Sequence, residues 1–268
     1  MKTLKKILDV CFKANTEDDW DTVWVICGDE GGSKSNLALH ICEYWYTKLY
    51  GECTPEHIKY MSLDRTQFKT CLANLNKKEF ICYDEAGDIS NRRFMDKFNF
   101  EITQAYQVIR GDNLFTLLVL PSFFDLDPFF SKRRVRGLIY VYRRGRFAVW
   151  SKQRLRQLTM INQGFPVKNY WITRPTYSLG YFPKYSGVLK EPYDLLKTAK
   201  MKEARKKLIK GDDDGKQTSE DDEKWARIMR GKRIGLSDSK IAEMEGCARE
   251  TITRFRNDYV SVISDIKI

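Results

Sequence analysis

An apolar run that ends in a glycine-rich loop and opens directly into a helix constrains this chain more than any other feature. In Val23–Ser35, VWVICGDEGGSKS, the segment Thr22–Cys27 is rich in β-branched residues and barely alternates, which predicts a strand covered on both faces. Beyond the loop, Leu37, His40, Ile41, Tyr44 and Leu49 recur at helical spacing. The same alternation continues. Strands are predicted at His57–Ser62, Phe80–Tyr83 and Leu114–Leu120, the last stopped by Pro121. Leu138–Tyr142 and Phe147–Trp150 form a hairpin around Arg143-Arg144-Gly145-Arg146. Helices are predicted over the N-terminus, with Leu4, Ile7, Leu8 and Cys11 on one face, and over Asp64–Lys77. The latter has Asp64 as N-cap and Phe68, Leu72 and Leu75 on one face; a third helix runs from Phe94 to Ile109. Strands alternating with helices predict an α/β fold, a mainly parallel sheet with helices on both sides.

The loop itself, Gly28-Asp29-Glu30-Gly31-Gly32-Ser33-Lys34-Ser35, matches the phosphate-cradling pattern G-x-x-x-x-G-K-[ST] except that Ser33 stands where the second glycine belongs. Gly31 and Gly32 are expected to supply that backbone freedom one residue early. In this reading Gly28 to Asn36 bind a nucleotide, Lys34 reaches the β- and γ-phosphates, and Ser35 holds Mg²⁺. The second informative stretch, FICYDEAGD (Phe80–Asp88), ends an apolar strand in two carboxylates. Asp84 fits the magnesium-binding carboxylate and Glu85 the base that activates water, at the strand edge where open α/β sheets bind ligands. Hydrolysis of a nucleoside triphosphate, ATP with Mg²⁺, is the expected chemistry.

Charge is unevenly placed. The 268 residues carry a formal +11, yet from Pro128 to Lys190 there are fourteen Lys and Arg and no Asp or Glu. A block of one sign that large fits a polyanionic partner. Arg133, Arg134, Arg136, Arg143, Arg144 and Arg146 are candidate DNA contacts, followed by Lys152, Arg154 and Arg156, with no carboxylate nearby in sequence to balance them. The interleaved aromatics, among them Phe130, Tyr140, Tyr142 and Trp150, suit stacking on bases or, as their alternation favours, a core. No apolar run approaches a membrane span, and the N-terminus lacks the apolar stretch of a signal peptide. Seven scattered cysteines and two histidines argue against zinc and disulfide frameworks. A reducing, cytoplasmic setting is expected, that of a host if the chain is viral or plasmid-borne.

The order of loop, DE-ended strand, long helix and next apolar strand resembles the ATPases with an additional strand and catalytic glutamate. Within them it is most similar to the FtsK/HerA group, including zonular-occludens-toxin-like and viral DNA-packaging ATPases. GDEGGSKS, ICYDEAGD and QVIRGDNLFTLLVLPSFFDLD carry the likeness, over roughly Thr22 to Trp150. The resemblance implies a RecA-like P-loop NTPase fold and a homo-oligomeric ring, usually a hexamer. It also implies Arg110, placed with Asn113 before the fourth apolar strand, as a catalytic finger reaching a neighbouring subunit's nucleotide; Arg133, Arg134 and Arg136 are rival fingers. The polar sensor expected at the end of that strand is absent, with Ser122 the nearest substitute.

The C-terminal part reads differently. GLSDSKIAEMEGCARETITRFRNDY (Gly235–Tyr259) resembles a helix-turn-helix. Asp238–Met244 is its first helix, with Ser237 as N-cap and Ile241 and Ala242 inward. Ala248–Val260 is the second, presenting Arg249, Glu250, Thr253, Arg254 and Arg256 to a DNA duplex. A protein-interaction three-helix bundle is the alternative. The expected organisation is an ATPase domain over 1–190 (core about 20–157), a basic helix and acidic linker over 191–223, and the DNA-binding module over 224–268. Together these predict an ATP-driven DNA motor serving translocation, packaging or replication. The alternatives are an ATP-switched transcription or replication regulator, and a phage-type assembly or secretion ATPase.

Overall fold

The computed structural model describes residues 2–89, 97–206 and 237–244. Among them, Thr22–Gly28 (β1), Met61–Ser62 (β2), Phe80–Asp84 (β3), Phe115–Val119 (β4), Val135–Arg143 (β5), Arg146–Ser151 (β6) and Tyr177–Tyr181 (β7) form one sheet. Its order is β2-β3-β4-β1-β5-β6-β7. The first five of these run parallel, and β6 and β7 extend the sheet antiparallel. The helices are Lys2–Thr16 (α1), Lys34–Tyr50 (α2), Arg65–Ala73 (α3), Lys97–Val108 (α4), Lys152–Asn162 (α5), residues 190–206 (α6) and Asp238–Met244 (α7). The expected α/β class and mainly parallel sheet are present. No described helix is long and apolar enough to cross a membrane.

Strand periodicity sorts the core into two layers. Trp24 and Ile26 of β1, with Phe80 and Cys82 of β3, face α1, α2 and the start of α6. Val23, Val25 and Cys27, with Ile81 and Tyr83, face α3, α4 and α5. Both sheet faces are therefore covered, as an all-parallel centre requires. The helix after β1 lies on one face and the helix after β3 on the other. A crevice opens between such diverging connections at the carboxyl ends of the strands. Asp84, two residues beyond Cys82, is aimed to the α2 and α6 side by the same periodicity.

Local chemistry explains where expectation and structure part. Over His57–Ser62 a 3-10 turn, Pro55–Tyr60, replaces most of the expected strand, because Thr54 and His57 cap each other reciprocally and Pro55 starts the turn. Asp64 does cap α3, accepting from Gln67 N at 2.9 Å, but that helix stops at Ala73, short of Leu75. The inner face of α2 is Leu37, Ala38, Ile41, Cys42 and Trp45, with His40 and Leu49 at its margins. Phe130, Phe147 and Trp150 are core, and Tyr140 stacks on Tyr170 with ring centres 4.1 Å apart. The described part of the fourth helix starts at Lys97, so the expected start at Phe94 lies outside the described residues.

The chain divides into two units, Met1–Ala199, which holds the whole sheet, and Lys200–Ile268. In the second, α7 spans Asp238–Met244 with Ile241 and Ala242 buried, and Ser237 Oγ accepts from Lys240 N at 3.3 Å. The acidic linker, the expected second helix and Arg249, Thr253, Arg254 and Arg256 lie outside the described residues.

Candidate nucleotide site

The carboxyl end of β1 must turn sharply, and one glycine makes that turn possible. Gly28 has φ +142°, and a Cβ there would sit 2.2 Å from the Val141 carbonyl oxygen of β5. Further along, Gly31 (φ +77°) and Ser33 (φ +71°) are both left-handed, whereas Gly32 is not. The substitution of Ser33 for glycine is thus not offset by Gly32. Ser33 takes the left-handed conformation itself, a strain of about 1–3 kcal/mol of the kind held at functional sites. α2 begins immediately after it, so the unbonded N–H groups of its first turn open toward the crevice.

A cavity of about 570 Å³ fills that crevice. Glu30, Gly31, Ser33, Lys34, Ser35 and Asn36 line one wall, Asp84 and Glu85 its floor, and Val119–Pro121 one side. Gly28, Asp29 and Gly32 shape the loop from behind. Lys34 Nζ donates to the carbonyls of Gly28 (2.7 Å) and Asp29 (2.9 Å), so the ammonium arches across the loop mouth. Asp84 Cα pairs in register with Val119, which pairs with Ile26. The carboxylate therefore stands two strand spacings, about 10 Å, from β1 at the level of the loop. Asp84 is buried; Glu85, the next residue, is exposed with φ +96° and borders the same cavity.

The opposite wall comes from α6, through Lys190, Tyr193, Asp194 and Lys197. Tyr193 is buried and donates its phenol to Asp84 Oδ2, with the Ser35 side chain close by. Burial, and then the Asp84 charge, push that phenol well above the ordinary tyrosine range, so it remains a donor. None of these four residues was among the sequence candidates. Their only sequence signal is the i, i+3, i+4, i+7 spacing of Lys190, Tyr193, Asp194 and Lys197. Ser122, the substitute sensor, turns away from the cavity: its Oγ accepts from Phe124 N and meets Tyr170 Oη at 3.4 Å.

The donor set suits magnesium. Mg²⁺ is held by one or two carboxylates plus substrate phosphates, and one buried carboxylate, Asp84, lining the same cavity as the Ser35 hydroxyl fits that pattern. Among the described residues no cluster of three or more His, Cys, Asp or Glu could hold a metal unaided, so phosphate oxygens have to complete the shell.

The basic candidates separate. Arg143, Arg144 and Arg146 cluster at the carboxyl end of β5, the cavity edge of the sheet, and are exposed. Lys132, Arg133 and Arg134 lie on a π-helical turn, Phe129–Arg134, at the other end of that strand, on the order of 30 Å away. Nearness in sequence did not make them one surface. The expectation that these arginines lack a balancing carboxylate is corrected by Asp21, which pairs with Arg134 and also feels Arg136 and Arg110. Arg136 lies 4.2 Å over the Trp20 ring. Burial, outweighing these cations, pushes Asp21 above its ordinary value. Arg133 and Arg110 are exposed, and Arg110 precedes β4 at this same far edge. Asn113, the companion of Arg110, is a buried structural residue: its side chain donates to Asp19 and its carbonyl accepts from Asn15.

No protein-family model matches this chain, and neither a curated protein nor a solved structure was found to match it.

Proposed function

We propose that this chain is an ATP-hydrolysing, DNA-binding motor of the RecA-like P-loop type, built as a homo-oligomeric ring. The observation that carries the reading is the cavity where Lys34, Ser35, Asp84 and Glu85 converge at the carboxyl ends of β1 and β3. These groups come from two distant sequence stretches and match a triphosphate's needs: cation, amide donors, hydroxyl, paired carboxylates. The position of β4 between β1 and β3 supports the additional-strand reading.

In this mechanism the loop amides and the first turn of α2 cradle the phosphates, and Lys34 swings from the Gly28 and Asp29 carbonyls to the β- and γ-phosphates. Ser35 and Asp84 are the residues that would hold Mg²⁺, which neutralises charge on the phosphates when bound. Glu85, exposed at the cavity floor, orients and deprotonates the attacking water. Arg110 lies at the far edge of its own sheet, so as a finger it serves the site of a neighbouring copy; this favours a ring over a monomer. The exposed cations at both ends of β5, with those of the C-terminal module, track DNA phosphates.

The test is ATP turnover without DNA, with single strands and with duplexes of increasing length, beside Lys34→Ala. Stimulation that grows with duplex length and is lost in Lys34→Ala is expected. Wild-type turnover in Lys34→Ala would overturn the site. Turnover indifferent to DNA would leave an ATP-switched regulator, a reading that the closure of the cavity by α6 also favours.

A further inference from the structure

The face of α6 that closes the cavity is chemically divided. Lys190 and Lys197 point positive charge at the space a triphosphate would fill, with Lys190 held to Asp194 at 2.5 Å. Between them Tyr193 inserts a buried phenol that donates to Asp84 Oδ2, with the Ser35 side chain close by. Those are the two side chains that the metal would need. A cation that bridges Asp84 and Ser35 at magnesium–oxygen distances of about 2.0–2.1 Å competes with the phenol for Asp84 Oδ2. The helix is not loosely placed either. Phe182, Tyr185 and Leu189, just ahead of it, are buried in the α2-side core. Leu189 N donates to the Tyr185 hydroxyl at 3.2 Å, and His40 Nε2 meets the Pro183 carbonyl at 3.1 Å.

We propose that Tyr193 is a latch on the metal seat: α6 holds the cavity in a state in which the phenol occupies Asp84, and a magnesium–triphosphate complex loads by displacing it. This inference rests on the reading of the cavity as a nucleotide site. The latch discriminates: metal-free nucleotide meets the loop and two lysines without competing for Asp84, whereas the metal complex competes directly. Loading therefore releases α6, the helix through which the chain continues past Ala199 into its second unit.

The probe is a fluorescent ATP analogue titrated into the full chain, once with magnesium and once with EDTA. Tyr193→Phe keeps the buried ring and removes the hydrogen bond to Asp84. It is expected to tighten binding about tenfold with magnesium, the worth of a hydrogen bond to a charged group, and to leave the EDTA titration unchanged. Unchanged or weaker magnesium-dependent binding would show a phenol that merely positions Asp84 and would overturn the latch. Amide exchange of residues 190–199 in the wild type gives an answer that no variant's folding can affect: it should rise on adding the magnesium complex, and a constant rate overturns the proposal. If wild type, Tyr193→Phe and Lys34→Ala all fail to bind the analogue, the nucleotide reading itself falls and takes the latch with it. Binding by wild type that Lys34→Ala abolishes keeps that reading whichever way the latch is decided.

Discussion

The two edges of the parallel sheet are built on opposite principles. At the carboxyl edge the positive-φ turns at Gly28, Gly31, Ser33 and Glu85 border a cavity of about 570 Å³, whereas those at Asp19, Lys78 and Asn113 lie on the amino edge, away from it. At the amino edge side chains bond one another: Thr22 to Asn15 at 2.5 Å, Asn15 to the Asn113 carbonyl at 2.8 Å, Asn113 to Asp19 at 2.8 Å, and Arg134 to Asp21. One edge turns backbone donors and carboxylates toward an open cavity; the other satisfies its polar groups internally. Cations at the first are candidates for contact with ligands. Those at the second divide into arginines that brace the fold and arginines, such as Arg110 and Arg133, that face outward.

This contrast predicts different failures at the two edges. The largest effect is expected from Glu85→Gln, which should cut ATP turnover about 1,000-fold, or ~4 kcal/mol in the barrier, while nucleotide still binds; near-normal turnover would remove Glu85 from the chemistry. Gly28→Ala forces a methyl against the Val141 carbonyl. It should cost about 3 kcal/mol in a urea melt, where an unchanged midpoint would contradict the close approach of loop and β5. At the amino edge, Asp21→Asn leaves Arg134 without its charge partner. A loss of about 1–2 kcal/mol is expected, with binding of the ATP analogue untouched; the reverse pattern would erase the distinction between the edges.

The smallest effect concerns pH. Burial holds His40 below its ordinary value of 6.5, against the opposing Pro183 carbonyl and Glu43 charge, while Lys5 reinforces the shift. A folded value below the unfolded one means that the contribution is complete above pH 6.5 and is lost as pH falls through the depressed value. Thermal stability should therefore decline slightly on acidification below 6.5, and His40→Phe should flatten that decline.

Much of the carboxyl edge is legible in the sequence because it is local. The buried strand, the glycines and Lys34-Ser35 are contiguous, and Asp84-Glu85 announces itself by ending an apolar run. Tyr193 is illegible for the opposite reason. It meets Asp84 across 109 positions, and nothing in Glu191-Pro192-Tyr193-Asp194 marks a cavity wall. The pairing of Arg134 with Asp21 spans 113 positions and likewise overturned an expectation drawn from neighbours alone. β7 escaped because its pattern misleads: Tyr177, Leu179 and Tyr181 alternate as an inward face would, yet they are exposed, while Gly180 lies against the Phe147 ring. α5 buries only Leu155 and Leu158 while its other apolar residues, Met160 and Ile161, are exposed, so it shows no clear stripe.

Contact between Gly28 and the Val141 carbonyl carries a mechanical consequence. Where a methyl group cannot fit, the loop has no clearance to recede toward β5, so that wall behaves as an anvil. Room for a bulky, highly charged guest would then have to come from the facing jaw, the helix that follows the buried Phe182–Leu189 stretch. Compliance in this cavity would be one-sided, and any work done by the proposed nucleotide loading would pass through the side that moves.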